Sequence, residues 1–366
     1  MTAPAIIATG AWLKNRACRL QGQAASWSPL HGDLGTPEAC DALAASVAEW
    51  LAQGPVAAFA HDLHPDFAST HLAEHLAQTH GVPAIGVQHH HAHVAAVVAE
   101  HGLDEPVVGL ALDGVGLGTD GLPWGGELLW VHHQQWQRLG HFAPLPLVGG
   151  DRAAREPWRM AAAVLQQLDR AHEIAPRYAQ AVGRVQAEGV AELLHKDLRA
   201  PRTTSAGRWF DAAAAALGLM LKQDDEAQAA IALERAATEW LAAQGLPAAH
   251  MADARLAQQM ASSPATLALA PLLATLFDVD DVGAAAARFH ATLAAALATW
   301  AAQAAAQQQV GTVCLAGGCF YNRILRSEVE RRLDAAGLQV RFPAASGCGD
   351  AGLALGQAWV GAHTRH

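Results

Sequence analysis

An apolar run that ends in an aspartate and a series of glycines reads Val107-Val108-Gly109-Leu110-Ala111-Leu112-Asp113-Gly114-Val115-Gly116-Leu117-Gly118. The apolar part predicts a buried strand from Val107 to Leu112, and the glycines predict a turn after it. Glu127 to Val131 then predicts a returning strand. The segment is informative because it restarts a pattern that the chain has already used once.

The residues before this segment predict a hairpin, a helix, a strand, a helix and a strand, in that order. These elements are Ala5–Leu20, Thr36–Ala52, Val56–Ala60, Phe67–Thr79 and Pro83–Val87. After the second hairpin come a long helical region, two strands and a closing helix. These are Asp151–Gln309, Val310–Ala316, Val340–Pro343 and Asp350–Ala362.

The repeated order predicts an α/β protein with the two-lobed actin-like ATPase fold (ASKHA) and a large helical insertion. In that arrangement the nucleotide binds between the lobes. We expect lobe I to span residues 1–104, with a closing helix at 350–366 packed back on it. Lobe II is expected at residues 105–349, with the insertion at about 151–309. The 366 residues, 52% of them hydrophobic, are ample for two such lobes.

Composition narrows the class of protein. The net charge of −10 argues against nucleic acid as a partner, and no apolar run is long enough to predict a membrane span. The N-terminal residues have no basic segment followed by an apolar core, so no signal peptide is expected. The five cysteines are odd in number and form no Cys-x-x-Cys pair, which argues against a zinc knuckle or a disulfide framework. A cytoplasmic location is expected.

A histidine cluster directly follows the strand that ends at Val87, in Gln88-His89-His90-His91-Ala92-His93. If a helix begins there, His89 and His93 share one face, close enough to hold one metal ion. His90 with His93 is the alternative pair at a spacing of three. Solvated histidines at a helix N-terminus are the other interpretation.

Two carboxylates are candidate partners of these imidazoles. Asp113 directly follows a strand, and Asp350 follows a turn that would present its side chain inward, although an N-cap role for Asp350 fits the sequence equally well. Two imidazoles and two carboxylates suit iron, zinc, manganese or magnesium, and ligand type alone does not choose among them.

Two glycine-containing segments are candidates for phosphate binding. One holds Gly114, Gly125 and Gly126, and the other is Gly317-Gly318, which joins a strand to a helix. A plain hairpin turn explains the first equally well. Asn322 is placed to reach a base or ribose, or only to cap its helix. Asp211 lies between Phe210 and Ala212 and needs a polar partner, for which a ribose hydroxyl is one candidate.

Several motifs, in order, resemble the HypF family, the carbamoyltransferases of [NiFe]-hydrogenase maturation. The motifs are His61-Asp62-Leu63-His64-Pro65-Asp66, Val87-Gln88-His89-His90-His91-Ala92-His93, Ala111-Leu112-Asp113-Gly114, Trp124-Gly125-Gly126-Glu127, Glu156-Pro157-Trp158-Arg159-Met160-Ala161, Gly207-Arg208 with Phe210-Asp211-Ala212, and Gly317-Gly318 with Asn322-Arg323. The resemblance runs from about Ile6 to Ala362. It is to the C-terminal, TsaD-like module, and no segment resembles the acylphosphatase-like, zinc-finger or YrdC-like parts of the family.

The resemblance implies a chemistry. Carbamoyl phosphate and ATP give carbamoyl-adenylate, and the carbamoyl group passes to the C-terminal cysteine of HypE, the acceptor protein, for cyanide ligand synthesis. It also implies that one divalent metal (iron, zinc or magnesium) is held by His89, His93, Asp113 and Asp350. ATP or carbamoyl-adenylate would bind at Asp211, Gly207, Gly317, Gly318, Asn322, Gly114, Gly125 and Gly126.

The chain departs from the family pattern at two places. Ser346-Gly347-Cys348-Gly349-Asp350 replaces a Pro-Pro-Asn-Asp-Gly-Gly type of run, and Ala227 stands where glycine is expected. Either another protein supplies carbamoyl-adenylate, or this shorter form converts carbamoyl phosphate itself. Two other functions remain open: O-carbamoylation in small-molecule biosynthesis, and a non-catalytic nucleotide-binding scaffold. Carbamoylation of tRNA is disfavoured by the acidic charge.

Overall fold

The N-terminal sheet has five strands in the order β3-β2-β1-β4-β5. In this computed structural model, which describes residues 4–198 and 200–364, β1 to β3 form an antiparallel meander, and β4 and β5 run parallel to β1. The ends of the predicted terminal segments, residues 1–3 and 365–366, lie outside the described residues. The five strands are Ala5–Ala8, Cys18–Gln21, Ala24–Trp27, Val56–Asp62 and Ala84–Val87.

The second sheet repeats this order. Its central strands run β8-β7-β6-β12-β13, with an antiparallel meander β6 to β8 and with β12 and β13 parallel to β6. A short strand, β11, extends the edge beside β8, and β9 pairs with β10 separately. The strands are Val107–Leu117, Pro123–His132, Gln135–Phe142, Leu145–Pro146, Arg202–Thr203, Thr266–Leu267, Thr312–Ala316 and Gln339–Arg341. The matching order confirms the structural repeat predicted from the sequence.

Helices α1 to α3 belong to the first repeat and α13 and α14 follow the later strands of the second. They are Pro37–Leu51, Ala68–His80, His89–His101, Arg323–Ala335 and Leu353–His363. Helices α4 to α12 lie in the predicted insertion. They are Arg152–Arg155, Pro157–Gln167, Ile174–Val182, Arg184–His195, Ala206–Ala216, Gln228–Gln244, Ala254–Met260, Ala270–Ala274 and Val282–Gln308. The described residues also form 3-10 turns at Ala171–Glu173, Ala248–Met251, Gly318–Tyr321 and Asp350–Gly352. No helix in the described part of the chain is long and apolar enough to cross a membrane.

The turn predicted directly after Leu112 begins later than expected, at residues 118–122. Strand β6 continues to Leu117 through a register shift, and β7 begins at Pro123, so most of these glycines lie within strands. Gly116 explains why: a Cβ atom there would lie 2.5 Å from the His89 ring. Glycine is needed at position 116 because the imidazole of His89 packs on the strand there, and not because the chain turns.

Helices α3 and α14 pack against each other between the two sheets. One buried cluster joins Ile6 and Ala60 of the first sheet, Ala111 of the second, and both helices. At the closest point a Cβ atom on Gly356 would lie 1.8 Å from the carbonyl oxygen of Ala92. Since α3 is in direct backbone contact with α14, its N-terminal turn is held firmly beside the start of α14, where Asp350 lies.

Candidate active site

Helix α3 begins immediately after β5 and carries His89 and His93 on one face. Gln88 caps this helix, and its side-chain oxygen accepts a hydrogen bond from the amide of His91 at 2.8 Å. The rings of His89 and His93 meet edge to face with centroids 4.8 Å apart, and each residue is 3% exposed. The spacing of four residues therefore places two buried imidazoles side by side.

Asp113 and Asp350 approach these rings from other parts of the fold. The Nε2 atom of His89 lies 3.3 Å from Oδ2 of Asp113 and 3.7 Å from Oδ1 of Asp350. The Nε2 atom of His93 lies 3.6 Å and 3.5 Å from the same two oxygens. Asp113 lies in β6. Asp350 is the first residue of the 3-10 turn before α14, and the N-cap of that turn is Gly349, not Asp350. The structure thus brings all four predicted ligands together.

The arrangement of these donors fits a divalent metal ion. All four ligand atoms lie within 4.8 Å of one another. Metal bonds of about 2.0–2.2 Å at tetrahedral angles place neighbouring ligand atoms about 3.4 Å apart, close to the separations found here. The Nε2 atom of His93 is buried and has no hydrogen-bond partner, although buried polar atoms nearly always have one. A metal ion would satisfy that atom.

A second carboxylate orients the His89 ring. Oδ2 of Asp62, at the end of β4, lies 2.7 Å from Nδ1 of His89, and the amide of Gly318 donates to Oδ1 of Asp113 at 3.1 Å. Burial would lower the pKa of His89, but the nearby carboxylates of Asp62 and Asp113 raise it well above its ordinary range. Burial likewise opposes ionisation of Asp113, yet His89 and His93 hold its pKa well below normal.

His90, the alternative ligand at a spacing of three, lies outside this group. Its Nδ1 atom is 3.1 Å from the side-chain amide nitrogen of Gln88, and its ring tilts against Trp124. Burial is the main cause that lowers the pKa of His90 well below its usual value, so the ring is neutral. The pair His89 and His93, four residues apart, therefore faces the carboxylates, and the pair His90 and His93 does not.

A cavity of about 410 Å³ opens beside the four-ligand group, a size typical of small-molecule sites. Its wall includes two of the four, Asp113 and Asp350. Seven predicted site residues line it: Asp113, Gly114, Gly207, Asp211, Gly318, Asn322 and Asp350. Two candidate metal ligands and five predicted nucleotide ligands therefore share one cavity.

Three predicted nucleotide-binding glycines are not among the lining residues. The amides of Gly125 and Gly126 donate to the buried carboxylate of Glu127, and both glycines pack on neighbouring backbone. Gly317 has φ +94°, and a Cβ atom there would lie 2.3 Å from the carbonyl oxygen of Leu112. These glycines permit close packing of backbone behind the cavity wall, which a single sequence does not distinguish from contact with a ligand.

Asp211 finds its polar partner within the protein. Its Oδ2 atom lies 2.7 Å from Nε of Arg208, and its Oδ1 atom accepts a hydrogen bond from Gln223 at 3.3 Å. Burial raises the pKa of Asp211 above its ordinary value, and the charge of Arg208 only partly opposes this. The carboxyl group still lines the cavity.

Asn322 caps α13, as one of the two interpretations of the sequence proposed. Its Oδ1 atom accepts from the amide of Leu325 at 2.9 Å. Its Nδ2 atom lies 2.9 Å from Nε2 of His290, whose Nδ1 contacts the carbonyl of Ala286. Burial lowers the pKa of His290 to about 4, so the ring is neutral and Nε2 accepts from the amide. One N–H of Asn322 remains for a ligand in the cavity.

Sequence reasoning did not single out four residues of this site. Asp62 supports His89, and the cavity wall also holds Lys14, Glu226 and Tyr321. Asp62 stands in a motif quoted for the family resemblance, which was its signal. The other three lie in segments whose proximity depends on the folding of distant parts of the chain.

The family models match nearly the whole chain. The model described as "HypF Kae1-like domain" matches residues 1–100, and "Carbamoyltransferase, Kae1-like Domain, second subdomain" matches residues 109–357. A protein of Cupriavidus necator named "Carbamoyltransferase HypF homolog" is 56% identical over 98% of this chain and 91% of its own length. The chain belongs to the HypF carbamoyltransferase family. The expectation of a carbamoyltransferase of this family, drawn from the sequence motifs, is confirmed.

Other members of the HypF family are longer. "Carbamoyltransferase HypF2" of C. necator is 46% identical, and "Carbamoyltransferase HypF" of Rhizobium leguminosarum bv. viciae is 43% identical. The chain spans 46% and 44% of their lengths.

Solved structures of HypF confirm the fold class. A full-length HypF in the phosphate- and nucleotide-bound form has a TM-score of 0.83 at 27% identity, covering 98% of this chain and 46% of that one. HypF of T. kodakarensis has a TM-score of 0.84 at 27% identity, covering 98% of this chain and 47% of that one. With the repeated sheet order, these matches establish the two-lobed actin-like ATPase fold.

Proposed function

We propose that this chain is a metal- and nucleotide-dependent carbamoyltransferase of [NiFe]-hydrogenase maturation. In this proposal carbamoyl phosphate and ATP are used, by way of carbamoyl-adenylate, to carbamoylate the C-terminal cysteine of HypE for cyanide ligand synthesis. One observation carries it: His89, His93, Asp113 and Asp350 converge at the wall of the cavity that Asp211 and Asn322 also line. A HypF relative has been solved with phosphate and nucleotide bound, which supports nucleotide binding here.

The four converging residues would hold a divalent metal. When bound, the ion would act as a Lewis acid that polarises a phosphate or carbamoyl oxygen. Asp62 holds the His89 ring in one orientation, and the Gly318 amide does the same for the Asp113 carboxylate. Because the histidines are buried and the carboxylates line the cavity, the site faces the substrate from one side only.

The far end of the cavity would bind the nucleoside. Asp211 offers carboxyl oxygens for ribose hydroxyls, and Arg208 and Gln223 hold that carboxyl in place. Asn322 uses one side-chain N–H toward His290 and its Oδ1 atom toward Leu325, so its second side-chain N–H is available to the ligand. A Cβ atom at Gly207 would lie only 3.1 Å from the Cα atom of Gly114. The two glycines therefore keep this part of the cavity wall open.

Three cysteines of this chain, Cys18, Cys314 and Cys319, are poor nucleophiles, which agrees with an acceptor thiol supplied by a partner. Cys319 lines the cavity, but burial and neighbouring carboxylates raise the pKa of its thiol well above normal. Burial raises the pKa of Cys18 and of Cys314 to about 12. Since the thiolate is the reactive form, none of these three is activated for attack.

The decisive experiment measures carbamoyl-phosphate-dependent ATP turnover by the purified chain and by a His93→Ala variant. If this chain activates carbamoyl phosphate, the wild type turns over ATP and the variant loses that activity. A second arm supplies synthetic carbamoyl-adenylate and purified HypE, and detects a carbamoyl group on HypE by mass spectrometry. His172→Ala is the matched control, because His172 is exposed and is not among the residues that line the cavity.

The two arms separate the sources of adenylate. Transfer without ATP turnover would assign adenylation to another protein. Activity that His93→Ala leaves intact would contradict a role for the four-ligand group. Nucleotide binding with neither turnover nor transfer, whatever acceptor is added, would overturn the proposal in favour of a scaffold.

A further inference from the structure

The cavity is strongly acidic for a site that would accept an anionic ligand. Five carboxyl side chains line it: Asp113, Asp211, Glu226, Glu234 and Asp350. Two lining side chains are cationic, Lys14 and Arg208. Arg208 is committed to the buried carboxyl of Asp211 at 2.7 Å, so its charge is already partnered. A phosphate group entering this cavity therefore needs a second cation besides any metal ion.

Lys14 lies on the loop between β1 and β2, and this loop is tightly constrained. Lys14 itself has φ +46°, in the left-handed region that residues with a Cβ rarely adopt, and its amide donates to Oδ1 of Asp33 at 2.8 Å. The fully buried Asn15 donates to the carbonyls of Thr9 and Ala11 at 2.9 and 2.6 Å. A strained residue held by such contacts is typical of a functional position.

Helix α14 also holds this loop in place, through hydrogen bonds with Gln357. The Oε1 atom of the fully buried Gln357 accepts from the amide of Gly10 at 3.0 Å, and its Nε2 atom donates to the Gly10 carbonyl at 3.4 Å. The 3-10 turn that carries Asp350 leads directly into α14. One helix therefore fixes both the Lys14 loop and a candidate metal ligand.

The partner of Lys14 is easily exchanged. Its Nζ atom lies 2.8 Å from Oε2 of Glu226 across the cavity mouth, and the two side chains are 59% and 48% exposed. Exposed pairs of this kind contribute little net stability, so an anionic ligand can replace Glu226 at small cost. Partial burial would lower the pKa of Lys14, but Glu226, Asp350 and Asp113 raise it, so the side chain is charged and near the four-ligand group.

We propose that Lys14 binds a phosphate oxygen of the ligand, exchanging Glu226 for it when the ligand enters. The ligand class is a phosphate ester or acyl phosphate, such as the nucleotide or carbamoyl phosphate. The identity of these ligands rests on the proposed function, but the contact between Lys14 and a phosphate oxygen can form without turnover. Lys14 acts as a binding residue, and Glu226 competes with the ligand for it.

The test measures equilibrium binding of AMP, adenosine and inorganic phosphate to the intact chain at a constant Mg²⁺ concentration. Lys14→Met should weaken AMP binding about tenfold or more, because a charge-assisted hydrogen bond is lost, and should leave adenosine binding unchanged. Lys14→Arg should retain most of the affinity. Glu226→Gln should tighten AMP binding severalfold. Lys196→Met is the matched control, because Lys196 forms an exposed pair with Glu192 on α7, outside the cavity.

The probes distinguish the two sources of phosphate. Weaker AMP binding assigns the contact to the nucleotide, and weaker binding of inorganic phosphate alone assigns it to a separate acyl phosphate subsite. The proposal is overturned if Lys14→Met changes neither, if adenosine binding weakens as much as AMP binding, or if the wild type binds neither phosphate ligand. A chain that binds AMP through Lys14 but transfers no carbamoyl group would overturn the proposed function and leave this inference intact.

Discussion

The Nδ1 atom of His89 lies 2.7 Å from Oδ2 of Asp62, and both side chains are almost completely buried. The carboxylate belongs to the last residue of β4 and the imidazole to the first residue of α3. This contact fixes the ring so that Nε2 faces Asp113. A strand and a helix that are not adjacent in the chain therefore set together the orientation of the His89 ring.

Asp62→Asn is expected to weaken divalent metal binding about 10- to 100-fold, because an amide orients and polarises the imidazole less well than a carboxylate does. Competition with a chelator of known affinity measures the change. Asp66→Asn is the control, since Asp66 lies in the same segment but is exposed. Equal metal affinity in the Asp62 variant and the wild type would show that the contact is only structural.

Gly356→Ala is expected to destabilise the protein by about 2 kcal/mol or more, because the added methyl group would overlap the Ala92 carbonyl where α3 meets α14. Gly189→Ala in α7 provides the contrast. A Cβ there meets no atom within 4 Å, and alanine favours a helix over glycine by about 1 kcal/mol, so this variant should be more stable. Urea denaturation measures both. Similar effects of the two variants would contradict the tight helix contact.

Ala227 has φ +64°, although alanine disfavours the left-handed region. The family resemblance predicted glycine at this position, and the backbone supplies the reason. Ala227→Gly is expected to stabilise the protein by about 0.5–1 kcal/mol, since relief of the strained conformation exceeds the added chain entropy. Ala242→Gly, near the end of the same helix α9, should instead destabilise it. A loss of stability in Ala227→Gly, measured by thermal unfolding, would be evidence against the strain.

Acid should destabilise the fold partly through His290. Burial lowers the pKa of His290 to about 4, against an ordinary value of about 6.5, so the unfolded chain binds more protons between these pH values. The contribution of His290 is therefore fully present above pH about 6.5 and declines as the pH falls toward 4, where it levels off. Roughly 1–2 kcal/mol should be lost between pH 7 and 5.

The variant His290→Gln checks this assignment. Its free energy of unfolding should depend less steeply on pH between 7 and 5 than that of the wild type, as measured by urea denaturation at several pH values. His172→Gln, at an exposed position, should keep the steep dependence. If both variants and the wild type show one common slope, another group accounts for the acid sensitivity.

Local patterns were sufficient for much of the fold. The two runs of hairpin, strand and helix signals predicted a repeat, and the sheets have matching strand orders. The spacing of four between His89 and His93 predicted a shared face because helical geometry acts over one turn. The glycines after Leu112 misled, because a glycine that makes room for a ring in a strand has the same appearance in sequence as one that forms a turn.

The sequence by itself determined which residues have the chemistry for a metal and nucleotide site. Asp113 and Asp350 were among them because one follows a strand and the other a turn. Only the tertiary structure decided that β6 and the turn before α14 bring these carboxylates within 3.7 Å of the histidines. The same holds for Lys14 and Glu226, which are far apart in the chain and meet across the cavity. The physical reason is that periodicity and capping act over a few residues, whereas contacts between distant segments depend on how the sheets and helices pack.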